Sequence, residues 1–395
     1  MRLTRLQCEN WKNFRAVDLP LQRRAFIVGP NASGKSNLLD ALRFLRDIAD
    51  PEGGFQRAVR LRGGVSQLRC LHARKQPNLA VAVELQIGDT AWEYRVEFAQ
   101  DNQRQPVVKR ERVARSGSVV LLRPDENDKV DASRLSQTHL EQVSANKDFR
   151  PVAQALAGIR YLHLVPQLIR EPERVAERTR DLYGSDFLDQ IARVGKRTLE
   201  SRLRRINAAL RVAVPQLSEL KFVREERGIP HLAGLYEHWR PHAGWQSEDQ
   251  FSDGTLRLVG LLWAFLDGTE PLLLEEPELS LHAAVVRYIP PMMISAGRRS
   301  LRQVLVSTHS ADPLSDRGIA PEEVVLLTPS RDGTKVRLAS GIAGVKRLLE
   351  GGLPMGEVVM PQTSPRNPAQ LALWCDTSPW RSLGRTEPVS VGACP

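Results

Sequence analysis

Three kinds of hydrophobic pattern follow one another along the chain. Residues 1–28 alternate apolar and polar positions and close on the run Ala25-Phe26-Ile27-Val28, which predicts a buried strand by its length and its flanking turn signals. Leu38, Leu39, Leu42, Phe44 and Leu45 then recur at helical spacing. From Leu79 the period changes to two. Leu79–Leu85 and Trp92–Phe98 read as a hairpin about a Gly88-Asp89 turn, with two shorter strands expected at Val107–Val113 and Val119–Leu122. This block predicts an antiparallel layer with a structural role. Asp125–Asp148 is polar and turn-rich, a connector. Between roughly 150 and 245 the pattern predicts helix: Leu199, Leu203, Ile206, Leu210 and Ala213 form one apolar stripe, with Arg197, Arg204, Arg205 and Arg211 off it. Two further apolar runs, Pro271–Leu274 and Gln303–Val306, read as strands. The expected division is an N-terminal lobe over 1–125, a connector and helical lobe over 126–250, a C-terminal lobe over 251–350 and a tail over 351–395.

The junction between the first strand and the first helix carries the chemistry. It reads Gly29, Pro30, Asn31, Ala32, Ser33, Gly34, Lys35, Ser36, followed by Asn37. A strand, a Gly-rich turn and a helix are the context that a G-x-x-x-x-G-K-[ST] phosphate loop requires. Glycines let backbone N–H groups close around phosphates, and the helix N-terminus adds partial positive charge. Lys35 is placed to reach the β- and γ-phosphates and Ser36 to hold Mg²⁺. The apolar run ending at Leu274 delivers adjacent carboxylates, Glu275 and Glu276, to a strand end. Beside a phosphate loop, one of them is expected to meet Mg²⁺ and the other to orient and polarise an attacking water. The strand before Ser307-Thr308 delivers His309, a candidate γ-phosphate contact.

Composition narrows the class. At 42% hydrophobic and 26% charged the 395-residue chain is globular, and no apolar stretch approaches the ~18 residues of a spanning helix. The N-terminus, MRLTRLQCENWKNF, holds no apolar signal region, so a soluble cytoplasmic protein is expected. Four scattered cysteines without a C-x-x-C pair indicate neither a zinc site nor a disulfide framework. The net charge of +10 is carried mostly by 46 arginines. It reads either as a polyanion-binding face or as an ordinary solvated surface.

Taken in order, these segments resemble the ATPase heads of the ABC class, specifically the soluble RecF and SMC-like branch. Asn10-Trp11-Lys12-Asn13-Phe14 is similar to that branch's first-strand element, which would give Lys12 a part in nucleotide binding. Tyr161–Gln167 resembles the strand entering the Q-loop and makes Gln167 the candidate metal and water sensor. Phe251-Ser252-Asp253-Gly254-Thr255 resembles the signature motif. Glu276 matches the catalytic glutamate, Ser280-Leu281-His282 the D-loop and His309 the switch histidine. One position departs: Glu275 stands where the Walker B residue is usually aspartate.

The resemblance implies an α/β P-loop NTPase fold with an antiparallel β subdomain and an inserted helical lobe. It implies ATP and Mg²⁺ as cofactors, and a head-to-tail homodimer in which Ser252 and Gly254 of one chain cap the ATP held by Lys35 of the other. Roughly 85 residues separate Gln167 from Ser252, too few for SMC arms, and roughly 85 follow His309, without the clustered acids of a Toprim nuclease. A transporter subunit and a small-molecule kinase fit less well. Two functions remain: an ATPase that regulates a separate effector protein, as in anti-phage defence, or a RecF-like ATPase that binds DNA in repair or maintenance. Neither involves a membrane.

Overall fold

The computed structural model describes residues 1–364 apart from 74–75, 171–182, 185, 225–227, 238–243 and 301. Two six-stranded sheets carry the architecture. The first is antiparallel, in the order β2 (Phe14–Pro20), β1 (Arg2–Trp11), β4 (Leu79–Ile87), β5 (Thr90–Gln100), β6 (Pro106–Arg115), β7 (Ser118–Arg123). Its hairpin β4–β5 turns at Gly88-Asp89 as the period-two pattern predicts, with Leu85 opposite Trp92 and Val83 opposite Tyr94.

The second sheet runs β15 (Gly333–Leu338), β14 (Val324–Ser330), β3 (Arg24–Val28), β13 (Val304–Thr308), β12 (Leu272–Glu275), β8 (Arg160–Leu162). Only β15 pairs antiparallel; the other five strands are parallel. Its central strands are apolar without alternation because both faces are covered. Ile27, Leu273, Leu305 and Val325 face a core shared with the antiparallel sheet and with the helix Lys35–Ala49. Phe26, Val28, Leu274, Val306 and Leu326 face a second core built with Leu261, Phe265, Ile289 and Met293. In the first core Trp11, Phe44, Phe98 and Phe55 pack ring to ring at centroid distances of 5.1 to 5.4 Å.

The region from 150 to 245 corrects the expectation of continuous helix. The stripe Leu199–Ala213 does lie on a helix, Lys196–Ala213, with Ile206 and Leu210 buried. Beyond it, β9 (Leu217–Arg224), β10 (Pro230–Tyr236) and β11 (Trp245–Ser247) form a three-stranded antiparallel sheet. Leu217, Leu220 and Leu232 pack from this sheet onto Ile206, Leu210, Phe251 and Trp263. Pairing with a neighbour, not a strong local period, makes these strands.

The tail expected from 351 also begins inside the fold: Met355, Val358 and Val359 are buried in the second core. Trp374 and Trp380 lie outside the described residues. Met1–Thr363 forms one compact unit.

Candidate functional site

The C-terminal ends of β3, β12 and β13 meet at one edge of the parallel sheet, where open α/β sheets place ligands. From Val28 the chain turns through Gly29–Gly34 into the helix Lys35–Ala49, with Ala32 at φ 61° and Gly34 at φ 97°. Gly34 is required twice over, since a Cβ there would meet the Asn13 amide at 2.1 Å. Asn13 is the clamp of the loop: its Nδ2 donates to the Ser33 carbonyl at 2.8 Å and to Thr334 Oγ1 at 2.7 Å, and its Oδ1 accepts from Asn37 at 2.9 Å. Trp11 Nε1 donates to the Asn37 carbonyl at 2.9 Å. The helix has neither a side-chain cap nor an acid in its first turn, so its orphan N–H groups are left to a ligand. Lys35 Nζ donates back to the carbonyls of Gly29 at 3.0 Å and Pro30 at 3.3 Å. Burial lowers its pKa, against the nearby charges of Glu276, Glu278 and Glu275.

Glu275 ends β12 with both carboxylate oxygens engaged, one by the Ser36 hydroxyl and the other by the Tyr161 hydroxyl. Burial raises its pKa; the Ser36 hydrogen bond works against this and the charge of Glu276 adds to it. Glu276 leaves the strand with φ 43°, a conformation seldom taken by a non-glycine residue and one that clusters at functional sites. Its N–H remains tied to the Ser307 carbonyl at 3.0 Å, and its Oε1 lies 3.2 Å from His309 Nδ1. Behind this pair sits Glu278, buried, accepting from Thr308 Oγ1 at 2.6 Å and from the His309 N–H at 3.3 Å. Burial raises the Glu278 pKa, and Thr308 and the His309 amide oppose the shift.

The signature-like segment is a second centre. Ser252 caps the helix Asp253–Leu266, its Oγ accepting from the Thr255 N–H at 3.1 Å and lying 2.9 Å from Thr255 Oγ1. Gly254 sits against Ser280, itself at φ 61°: a Cβ on Gly254 would meet the Ser280 carbonyl at 2.6 Å. Gln167 joins this centre, since its Nε2 donates to Asp253 at 3.0 Å, and Arg170 pairs with the same carboxylate at 2.6 Å. From the segment that precedes Gln167, Tyr161 reaches the Glu275 carboxylate and His163 Nδ1 lies 3.4 Å from the Glu275 carbonyl. Lys12 is ion-paired with Asp40 at 2.6 Å on the phosphate-loop helix. Burial would raise the Asp40 carboxyl, yet Arg62, Lys12 and Arg43 hold it at about 2.

Asn13, Tyr161, Glu278 and Thr334 escaped the sequence reading. Asn13 and Tyr161 lie inside segments that reading had singled out, and Glu278 is two residues past Glu276. Thr334 has no local signal, because only the β14–β15 hairpin carries it to the loop.

The oxygen donors of Ser36 and Glu275 suit Mg²⁺, a hard cation that takes few protein ligands and completes its shell with water and substrate phosphate.

The fold is that of the ABC-class ATPase heads of the RecF and SMC-like branch. The chain belongs to the family described as "AAA domain, putative AbiEii toxin, Type IV TA system", which matches residues 24–314. Among solved structures it is similar to an SMC head bound to the C-terminal winged-helix domain of ScpA. That likeness has 15% identity and a TM-score of 0.53, over 85% of this chain and 97% of that one. It is also similar to the SMC head of Pyrococcus furiosus bound to the C-terminal domain of ScpA, at 13% identity and a TM-score of 0.50, over 88% of this chain and 98% of that one. At such identities the likeness speaks for the fold alone. No curated protein matches the chain in sequence. No helix among the described residues is long and apolar enough to cross a membrane.

Proposed function

We propose that the chain binds and hydrolyses ATP and that the resulting opening and closing of a head-to-tail dimer regulates a separate effector protein. The observation that carries this reading is the convergence of Lys35, Ser36, Glu275, Glu276 and His309 at one sheet edge. Lys35 and the backbone N–H groups at the start of its helix, Gly34–Asn37, hold the phosphates. Ser36 and Glu275 would hold Mg²⁺, which would supply positive charge to neutralise the phosphates. Glu276 is the general base: its carboxylate accepts a proton from the attacking water and orients it in line with the γ-phosphate. His309, held between Glu276 and Glu278, donates to a γ-phosphate oxygen through the ring nitrogen that does not face Glu276. Gln167 acts through Asp253, which it fixes at the start of the Ser252-capped helix. Lys12 acts through Asp40, steadying the phosphate-loop helix.

Ser252, Gly254 and Thr255 of one chain cap the ATP bound by the other, with Ser280 supporting Gly254 from below. Loss of the γ-phosphate removes the shared charge and lets the heads part. The family's description, with its toxin–antitoxin wording, favours an effector under such control. The net charge of +10 favours the second reading, a head that binds DNA.

The test compares ATP turnover by the wild type and Glu276→Gln, with and without duplex DNA, at two salt concentrations. Glu276→Gln is expected to lose about 100-fold or more in turnover while keeping ATP binding and accumulating dimer by light scattering. Equal turnover in the two proteins overturns the assignment. Stimulation by DNA that fades at high salt replaces the effector reading with the DNA one.

A further inference from the structure

Glu275 has one rotatable bond more than an aspartate in its place, so its carboxylate needs more to hold it still before it can meet a cation. The neighbouring strand supplies the hold. Tyr161 of β8 stands opposite Leu273 of β12, two residues before Glu275. Leu273 and Glu275 therefore share a face of the sheet, and Tyr161 is buried on that face in the same core as Leu273. From there the Tyr161 hydroxyl donates to one carboxylate oxygen of Glu275, while the other oxygen accepts from the Ser36 hydroxyl.

The tyrosine ring is held in turn. The Arg43 guanidinium lies over it, 4.4 Å from the ring centroid, a cation–π contact that fixes the ring plane. Arg43 follows Ser36 by about two turns on the helix Lys35–Ala49, so the two side chains share one helix face. The phosphate-loop helix thus gives Ser36 to one oxygen of Glu275 and, through Arg43, steadies the ring that binds the other.

We propose that Tyr161 is a positioning residue for the cation that accompanies ATP: its hydroxyl locks the long Glu275 side chain so that the oxygen beside Ser36 is presented to Mg²⁺. The inference rests on the ATP-binding reading of the site and names the group that makes a glutamate serviceable at this strand end. Hydrogen bonds that orient a metal-binding side chain typically carry about 10–100-fold in metal affinity. An aspartate at 275 would withdraw the carboxylate by about 1.5 Å, one C–C bond, and a ring fixed under Arg43 could not follow it.

Titration of the full chain with a fluorescent ATP analogue, in EDTA and at a series of Mg²⁺ concentrations, reads the cation apart from turnover. Tyr161→Phe keeps the ring under Arg43 and removes only the hydroxyl. In EDTA it is expected to bind the analogue as the wild type does, while the Mg²⁺ needed for half of the cation-dependent tightening rises about tenfold. Glu275→Asp is expected to raise that requirement by a similar factor. The double variant should be no worse than Glu275→Asp alone, because the hydroxyl then has no carboxylate left to hold. A wild-type Mg²⁺ requirement in Tyr161→Phe, losses that multiply in the double variant, or an equal loss of affinity in EDTA each overturns the proposal. A wild type whose ATP binding ignores Mg²⁺ overturns the reading of the site as well, so the two failures are distinct.

Discussion

The helices that begin at Lys35 and at Asp253 start in opposite ways. The first is entered through a left-handed Gly34, without a side-chain cap and without an acid in its first turn. The second is capped by Ser252 and carries Asp253 in its first turn, held by Arg170 and Gln167. A helix N-terminus attracts negative charge by about 0.3–1 kcal/mol, and more when partly buried. The first start has no acid of its own to meet that attraction, whereas the second has already met part of it with a carboxylate. One chain thus holds one uncapped and one self-satisfied helix start, and the proposed head-to-tail dimer would bring the two kinds together.

The largest effect is expected at the open start. Gly34→Ala places a methyl group on the Asn13 amide at a position with φ 97°. Strain of 1–3 kcal/mol, with the lost clamp, should weaken ATP binding by about 100-fold in a calorimetric titration. An unchanged affinity would mean that the loop is not the cradle. At the second start, Gly254→Ala drives a methyl into the Ser280 carbonyl. Overpacking costs about 1–3 kcal/mol, so ATP-dependent dimer by light scattering and turnover should both fall about tenfold, while ATP affinity of the single chain stays the same. A fall in affinity instead would show that the two starts act within one chain.

A smaller effect separates the carboxylates behind the open start. Burial raises the Glu278 pKa, so the folded chain holds that proton more tightly than the unfolded one. The cost of ionising it is absent below the ordinary value and sets in as pH rises through the raised one. Its Oε2 is buried without a partner. Glu278→Gln should therefore raise stability by about 1 kcal/mol at pH 8 and by less at pH 5, read as Tm against pH. An equal gain at both pH values would show that the charge is not the cause.

The open start was legible in the sequence and the self-satisfied one only in outline. A phosphate loop is local: glycines, Lys35 and Ser36 lie within eight residues, and the adjacent strand and helix are strongly patterned. Glu275, Glu276 and His309 could be placed at strand ends because each follows an apolar run that must be a buried strand. What holds them was hidden, because it comes from across the fold. Thr334 is 321 residues from its partner Asn13, and Tyr161 is 114 from Glu275. The sheet at 217–247 was missed for a related reason. Leu217, Leu220 and Leu232 are buried by neighbours on the Lys196–Ala213 helix and near Phe251, not by a period of their own.

The finest test of the comparison is Asp253→Asn. The change removes the Arg170 ion pair and keeps the size and an oxygen acceptor, so a Gln167 hydrogen bond survives. Asp253 is 37% exposed in that pair, and the loss of such a bridge costs no more than about 1 kcal/mol of stability. Affinity of the single chain for ATP should not change, because the residue lies on the other helix. If the second start receives the γ-phosphate of a partner head, deleting its resident negative charge should strengthen that reception. The gain expected from a helix terminus, about 0.3–1 kcal/mol, corresponds to an ATP-dependent dimer about two- to fivefold tighter by analytical ultracentrifugation. A weaker dimer would reverse the argument: the carboxylate would then be aiming Arg170 or Gln167 at the shared site, and the second helix start would be as unfinished as the first until a partner arrives.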